Sequence, residues 1–331
     1  MAPGRETSPT GRSWQPTASR QVLESRAQQL TWVRGFFARR KVLEVETPVL
    51  GRCSVTDLNI DSVPVSSTCS EVGQRDLWLQ TSPEYPMKRL LAAGTGDIYQ
   101  VARVFRDGER GSRHNPEFSL LEWYRRDFDD VGLMAEVADL VCGWLECPRP
   151  ATLEYREAFL RFAGIDPFTG DDEALRQLCR RWMSPGQVAE LLRDECLDLL
   201  MSFCVEPALA GLGPVFITGY PESQAALARV SEVDGVRKAH RFELYIEGLE
   251  LCNGYWELTD AAEQRMRFDS DNLARRRAGR PQMPVDECLL AAMEAGVPDC
   301  AGVALGLDRL LMLKLGLEDI AGVLAFASER A

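Results

Sequence analysis

Two histidines, His114 and His240, are all that 331 residues contain, and the ten cysteines include no C-x-x-C pair. That supply argues against a zinc cage, which needs closely spaced Cys and His ligands. It also argues against a disulfide framework, which belongs to short exported chains. No apolar h-region opens the sequence, so the thiols are expected to be reduced and the chain cytoplasmic. No apolar run approaches the ~20 residues of a membrane span. Positive charge in excess is missing too: 38 Lys and Arg face 50 Asp and Glu, a net −12. Nucleic-acid binders usually present a basic face. The one dense basic run, Arg275-Arg276-Arg277 with Arg280, falls in a predicted helix and reads as a solvated face. What remains is ordinary. Hydrophobic residues make up 45% and charged ones 27%, enough for one large domain or two small ones.

Residues 1–18 are rich in Pro, Ser, Thr, Gly and Arg and read as a mobile tail, with Trp14 the one residue there that could dock. Ser19 is a predicted N-cap, and Val22, Leu23, Ala27, Leu30, Val33, Phe36 and Phe37 form a helical apolar stripe. Extended runs at 42–46 and 76–81 precede a helix opened by Pro83-Glu84 and closed at Gly94. Further strands are expected at 98–106, 115–124, 215–218, 241–247 and 250–258. Helices are expected at 129–145, 260–279 and 286–295. Residues 150–212 read as helix and polar loop with no assignable chemistry. Strands mixed with helices, not strictly alternating, predict an α+β fold with an antiparallel sheet flanked by helices.

Phe105 to Tyr124, FRDGERGSRHNPEFSLLEWY, carries the chemistry. It reads as strand, polar loop, strand, with Arg106 at the end of the first strand. A planar, permanently charged guanidinium suits a phosphate, and Phe118 offers a flat face to a base. A surface hairpin with an ion pair fits the same residues. A second segment, Arg241 to Glu257, is unusually acidic for a strand. Alternation places Glu243, Tyr245 and Glu247 on one face, and Gly248 permits a turn before Glu250. Carboxylates so placed suit Mg²⁺, or serve an edge strand as charges against aggregation. Glu84, at a helix start, is also a favourable dipole partner.

The Phe105–Tyr124 stretch, through His114-Asn115-Pro116-Glu117-Phe118, resembles motif 2 of the class II aminoacyl-tRNA synthetases, nearest the lysyl branch. Leu43-Glu44-Val45-Glu46-Thr47-Pro48 resembles motif 1, whose proline lies at the family's dimer interface. Gly302 to Arg309, GVALGLDR, resembles motif 3, a strand feeding a helix with an arginine. Three motifs in order across residues 19–331 are far more specific than one. The resemblance implies the class II catalytic fold over 19–331, with 150–212 as a helical insertion, a homodimer, and ATP with Mg²⁺ as cofactors. It gives catalytic roles to Arg106 and Arg309, the latter on the γ-phosphate. ATP would also meet Asp107, Gly108, Glu109, His114, Asn115 and Phe118 around motif 2. Further on, Glu250, Leu251 and Gly306 would meet it. Glu243 and Glu250 would hold the metal. The amino acid would lie among Ser82, Pro83, Glu84, Glu122, Tyr124, Asn253, Glu257 and Ala304, with Glu257 facing a side-chain ammonium. Glu122 and Tyr124, two apart on a strand, would face one way. Asp308 would orient Arg309 or cap its helix.

Two departures bear on function. Motif 2 ordinarily reads Phe-Arg-x-Glu, but here Gly108 takes the glutamate's place and Glu109 follows one position late. The anticodon-reading OB domain of lysyl-tRNA synthetases is expected to be absent, since motif 1 starts near residue 42. The chain therefore more closely resembles the free-standing elongation factor P–lysine ligases. Those enzymes activate (R)-β-lysine and attach it to the ε-amine of a lysine on elongation factor P. Ala304, where lysyl-tRNA synthetases usually have glycine, could favour a β-amino acid by ~1–3 kcal/mol. Elongation factor P and β-lysine or lysine are the expected partners, with no tRNA and no membrane. A tRNA-charging fragment and a non-catalytic lysine or adenylate sensor are the alternatives.

Overall fold

The computed structural model describes residues 14–66, 76–233 and 235–331. Most of the tail expected over residues 1–18 lies outside them. Residues 14–18 correct the rest of that expectation. Thr17 and Ala18 donate backbone hydrogen bonds to Ala325 and Leu324 at 2.8 and 3.1 Å, and Ala18 is buried, while Trp14 is exposed.

The described residues fall into two compact units. One lies within Met1–Glu122, Phe268–Ala292 and Gly306–Ala331; the other is Trp123–Arg267 with Met293–Leu305. The first unit opens with α1 (Arg20–Arg40), capped by Ser19, which accepts from the Val22 N–H. Lys41 ends the helix in the left-handed conformation (φ 57°). Of the predicted stripe, Val33, Phe36 and Phe37 are buried, whereas Leu23 is exposed. Next come β1 (Leu43–Glu44), β2 (Leu50–Gly51), β3 (Pro64–Ser66), β4 (Asp76–Leu79), α2 (Glu84–Ala92), β5 (Ile98–Phe105) and β6 (Glu117–Arg126). β1 runs parallel to β5, β5 neighbours β6, and β2, β4 and β3 form a small separate sheet.

The second unit starts within β6 and continues through α3 (Asp130–Leu145), β7 (Ala151–Glu154), α4 (Tyr155–Phe162), α5 (Asp172–Cys179), α6 (Pro185–Glu190), α7 (Arg193–Leu200) and α8 (Glu206–Leu209). Its sheet is completed by β8 (Val215–Pro221), β9 (Val230–Val233), β10 (Val236–Ile246) and β11 (Leu249–Trp256). α9 (Ala261–Arg277), α10 (Glu287–Gly296), β12 (Cys300–Gly306) and α11 (Leu307–Leu315) close the chain. The strand order is β6-β12-β11-β10-β8-β7, antiparallel from β12 to β8. The fold is the expected α+β sheet with covering helices. The 150–212 region is not helix and loop alone: Ala151–Glu154 is a strand parallel to β8. Leu153, Tyr155, Phe159, Leu175, Leu197 and Val205 join Ile217 and Tyr245 in one buried cluster, so these helices supply core to the sheet.

The basic run departs from expectation at Arg275, which is fully buried; Arg276, Arg277 and Arg280 are exposed, as expected of a solvated face. The nine described cysteines are free. Among the described residues no helix is long and apolar enough to cross a membrane.

Candidate active site

In the first unit, α2 and β6 bring Ser82, Glu84 and Glu122 together. Ser82 Oγ donates to Glu122 Oε2 at 2.7 Å and accepts from the Glu84 N–H at 3.0 Å. Glu122 is buried. Glu84 pairs with Lys88 one helical turn on, Nζ to Oε1 at 2.6 Å, and Lys88 is itself buried. Lys88 was not among the candidate site residues. The i,i+4 spacing of Glu84 and Lys88 is the signal that could have found it.

The motif 2 hairpin presents Arg106 as foreseen. Its guanidinium lies 5.1 Å from the Phe118 ring centroid, so a cation–π contact holds one ring face. Its Nε is buried with no hydrogen-bond partner among the described residues. Glu109, one place later than in the family pattern, still reaches Arg106 at 3.7 Å. Gly108 makes this possible by a left-handed turn (φ 75°), which its missing Cβ allows. Asp107 Oδ1 accepts from the Gly108 N–H at 2.9 Å. Arg309, third in α11, donates to His114 Nε2 at 2.8 Å. Desolvation and then the Arg309 charge push the His114 pKa below its ordinary value, which favours the neutral, accepting ring.

Asn115 and Asp308 both have structural partners here. Asn115 has both ends of its amide committed: Nδ2 donates to the Glu117 carbonyl at 2.6 Å, and Oδ1 accepts from the Ser328 N–H at 3.2 Å. It ties the hairpin to the C-terminal segment, and one N–H and one lone pair of its amide remain beyond these two bonds. Asp308 neither orients Arg309 nor caps α11. Its buried carboxylate accepts from the Arg26 guanidinium and, at 2.7 Å, from the Ser119 N–H. It thereby joins α1, β6 and α11. Gly306, the residue before α11, has no side chain to cap it.

In the second unit, β11 and β12 place Asn253 opposite Ala304 and Tyr255 opposite Gly302. A Cβ on Gly302 would lie 2.3 Å from the Tyr124 ring and 2.4 Å from Glu257 Oε1. Tyr124 and Glu257 therefore flank bare backbone. Glu257 is 1% exposed and Tyr124 2%. Asn253 Oδ1 is buried with no hydrogen-bond partner among the described residues. An unmet buried acceptor is costly, so this oxygen suits a donor on a ligand. Gly302 was read only as part of a motif; its steric role needs the fold.

Glu243 is buried, and its carboxylate accepts from Arg241, Tyr220 and Tyr245, at 2.5, 2.6 and 2.6 Å. Burial, then the Glu243 charge, raises both tyrosine pKa values well above 10, so both hydroxyls remain donors. A carboxylate offers about four lone-pair sites. Three are taken, leaving room for one monodentate contact. Glu250 stands opposite Tyr245 across a bulge, and its charge contributes to raising the same tyrosine. Mg²⁺ commonly takes one or two carboxylates plus phosphate oxygens, and this pair fits that need. Glu247 does not join them. It lies past the end of β10 with φ 54°, and with Gly248 (φ 70°) it forms the turn into β11. Leu251 is buried within β11, where its side chain serves packing. Pro83 immediately precedes α2.

A family model described as tRNA synthetases class II (D, K and N) matches residues 13–330, and the chain belongs to that family.

Proposed function

We propose that this enzyme activates (R)-β-lysine, or lysine, with ATP and transfers it to the ε-amine of a lysine on elongation factor P. The family match supports ATP-dependent amino-acid activation. The observation that carries the diamine reading is the buried Glu257 carboxylate beside Tyr124 over a side-chain-free Gly302. The missing side chain at Gly302 leaves room beside that carboxylate, and an ammonium placed there would donate to it. Asn253 Oδ1 offers a further acceptor. Ala304, opposite Asn253, adds a methyl that favours the β-amino substrate.

The substrate carboxylate would attack the α-phosphorus of ATP, forming an acyl-adenylate and releasing pyrophosphate. Arg106 and Arg309 would bind and orient the phosphates, and positioning with fixed charge would lower the barrier. Mg²⁺, held by Glu250 and by the remaining site on Glu243, would neutralise phosphate charge. The acceptor amine would then attack the acyl carbon, lose a proton and release AMP. Leu43, Val49 and Leu50 around motif 1 are exposed and suit burial in a homodimer.

The test offers Mg-ATP and labelled β-lysine to the enzyme with elongation factor P and bulk tRNA together. Label on the protein factor is the expected result. Label on tRNA would replace the ligase reading with that of a tRNA-charging enzyme. Amino-acid-dependent pyrophosphate exchange without any transfer would reject both acceptors, and no exchange at all would favour the sensor.

A further inference from the structure

Arg275 lies in the last turn of α9, where a cation favourably meets the negative end of the helix dipole. That effect needs no burial, yet Arg275 is 0% exposed. Its Nε donates to the Pro281 carbonyl at 2.8 Å. Its Nη1 reaches the Asp57 and Ile60 carbonyls at 2.6 and 3.3 Å, and Nη2 reaches Asp61 Oδ1 at 3.0 Å. A buried guanidinium is tolerated only when its donors are met, and the 57–61 loop meets most of them. Arg280 adds bonds to the Leu58 carbonyl at 2.6 Å and Asp61 Oδ2 at 3.2 Å. Thr56 Oγ1 donates to Asp271 Oδ2 on α9 at 2.7 Å. The loop is thus fastened along its length to the end of α9.

The other side of the loop touches the candidate nucleotide site. The Asp61 carbonyl accepts from the Asp107 N–H at 2.8 Å. Asp107 follows Arg106, whose buried Nε lacks a hydrogen-bond partner among the described residues. We infer that Arg275 is a positioning residue for ATP: it fixes the 57–61 loop, the loop fixes the Asp107 backbone, and that backbone aims Arg106. The inference rests on the proposed role of Arg106 at the phosphates. Lysine cannot replace the arginine, because an ammonium lacks the planar fork that serves three carbonyls and a carboxylate at once.

The experiment compares Arg275→Lys with wild type by amide hydrogen exchange of the 105–113 segment and by pyrophosphate exchange kinetics. Exchange at Asp107 rises about tenfold, and KM for ATP rises about tenfold, since small misplacements of binding groups have effects of that order or larger. KM for the amino acid stays within about twofold on the same argument. Arg280→Gln, at an exposed partner of the same loop, gives a smaller shift in the same direction and serves if Arg275→Lys does not fold. Unchanged Asp107 exchange overturns the inference. So does an equal rise in both KM values with a lowered melting temperature, the mark of general destabilisation. If wild type shows no pyrophosphate exchange, the proposed function falls, while hydrogen exchange still decides whether Arg275 holds Asp107.

Discussion

Gly302→Ala is a one-methyl change whose effect follows directly from the structure. The new Cβ would sit 2.3 and 2.5 Å from Tyr124 ring carbons and 2.4 Å from Glu257 Oε1. Both neighbours are at most 2% exposed, so neither can swing into solvent. Relief must come from moving the ring, the carboxylate or the β12 backbone. Overpacking of this kind costs about 1–3 kcal/mol, or about 2–4 °C of melting temperature per kcal/mol for a unit of this size. The functional loss should exceed the loss of stability. On the proposed reading, moving Glu257 by about 1 Å would cost on the order of a hundredfold in amino-acid-dependent turnover, and the methyl would enter the space that this reading gives to substrate. Pyrophosphate exchange with varied amine and fixed ATP, then the reverse, separates the two sites. KM for the amine should rise steeply while KM for ATP changes little. A folded Gly302→Ala enzyme with wild-type KM for the amine would refute placing the substrate over this glycine.

Other expectations are as direct. Lys88→Met strips the buried ammonium from Glu84, a partner at 2.6 Å, and should cost about 3–5 kcal/mol. Denaturant titration should show a lower midpoint at unchanged slope; an unchanged midpoint would show the pair to be dispensable. The lowered His114 pKa means the unfolded chain binds that proton more readily than the folded one. Its contribution to stability is present above about pH 6.5, the ordinary histidine value, and is lost as pH falls through the lowered folded value. Acid should therefore weaken the Arg309–His114 bond, and His114→Gln should flatten the low-pH rise in KM for ATP. Tyr220→Phe removes one of three donors to Glu243 and should cost about 1–2 kcal/mol. Glu243→Gln disturbs the buried pair with Arg241 and should cost about 3 kcal/mol. Equal costs in thermal melts would contradict the clamp described for that carboxylate.

What was legible in the sequence was what local pattern controls. The strand–loop–strand around Arg106 shows in its apolar runs and polar break, and β5 and β6 fall within two residues of expectation. Glu247 shows where pattern misleads. Alternation carried the strand to the residue before Gly248, but the turn takes both residues into positive φ. A glutamate seldom adopts that conformation, so nothing in the sequence marked the earlier start. β7 is four residues beside a helix, too short to declare itself before β8 pairs with it. Arg275 was misread because its partner Asp61 lies 214 residues away, and a basic triplet at a helix end looks solvated until the loop that covers it is known.

The acidic residues make the same point about function. Composition supplies many carboxylates, and the motif resemblance singles out several as ligands, but only the surroundings of each in the fold tell them apart. In the second unit, buried Glu136 accepts from Trp123 Nε1 at 3.1 Å and lies 3.6 Å from Arg125 Nε, so it serves β6 packing. Buried Glu243 satisfies an arginine and two tyrosines and keeps one lone-pair site. Buried Glu257 stands with Tyr124 over the one glycine whose added methyl would strike both. Of three carboxylates of similar burial, one thus holds a strand, one clamps an arginine and two tyrosines, and one stands over bare backbone where the proposed reading puts a substrate ammonium. What separates the three is the set of neighbours that the fold gives each one.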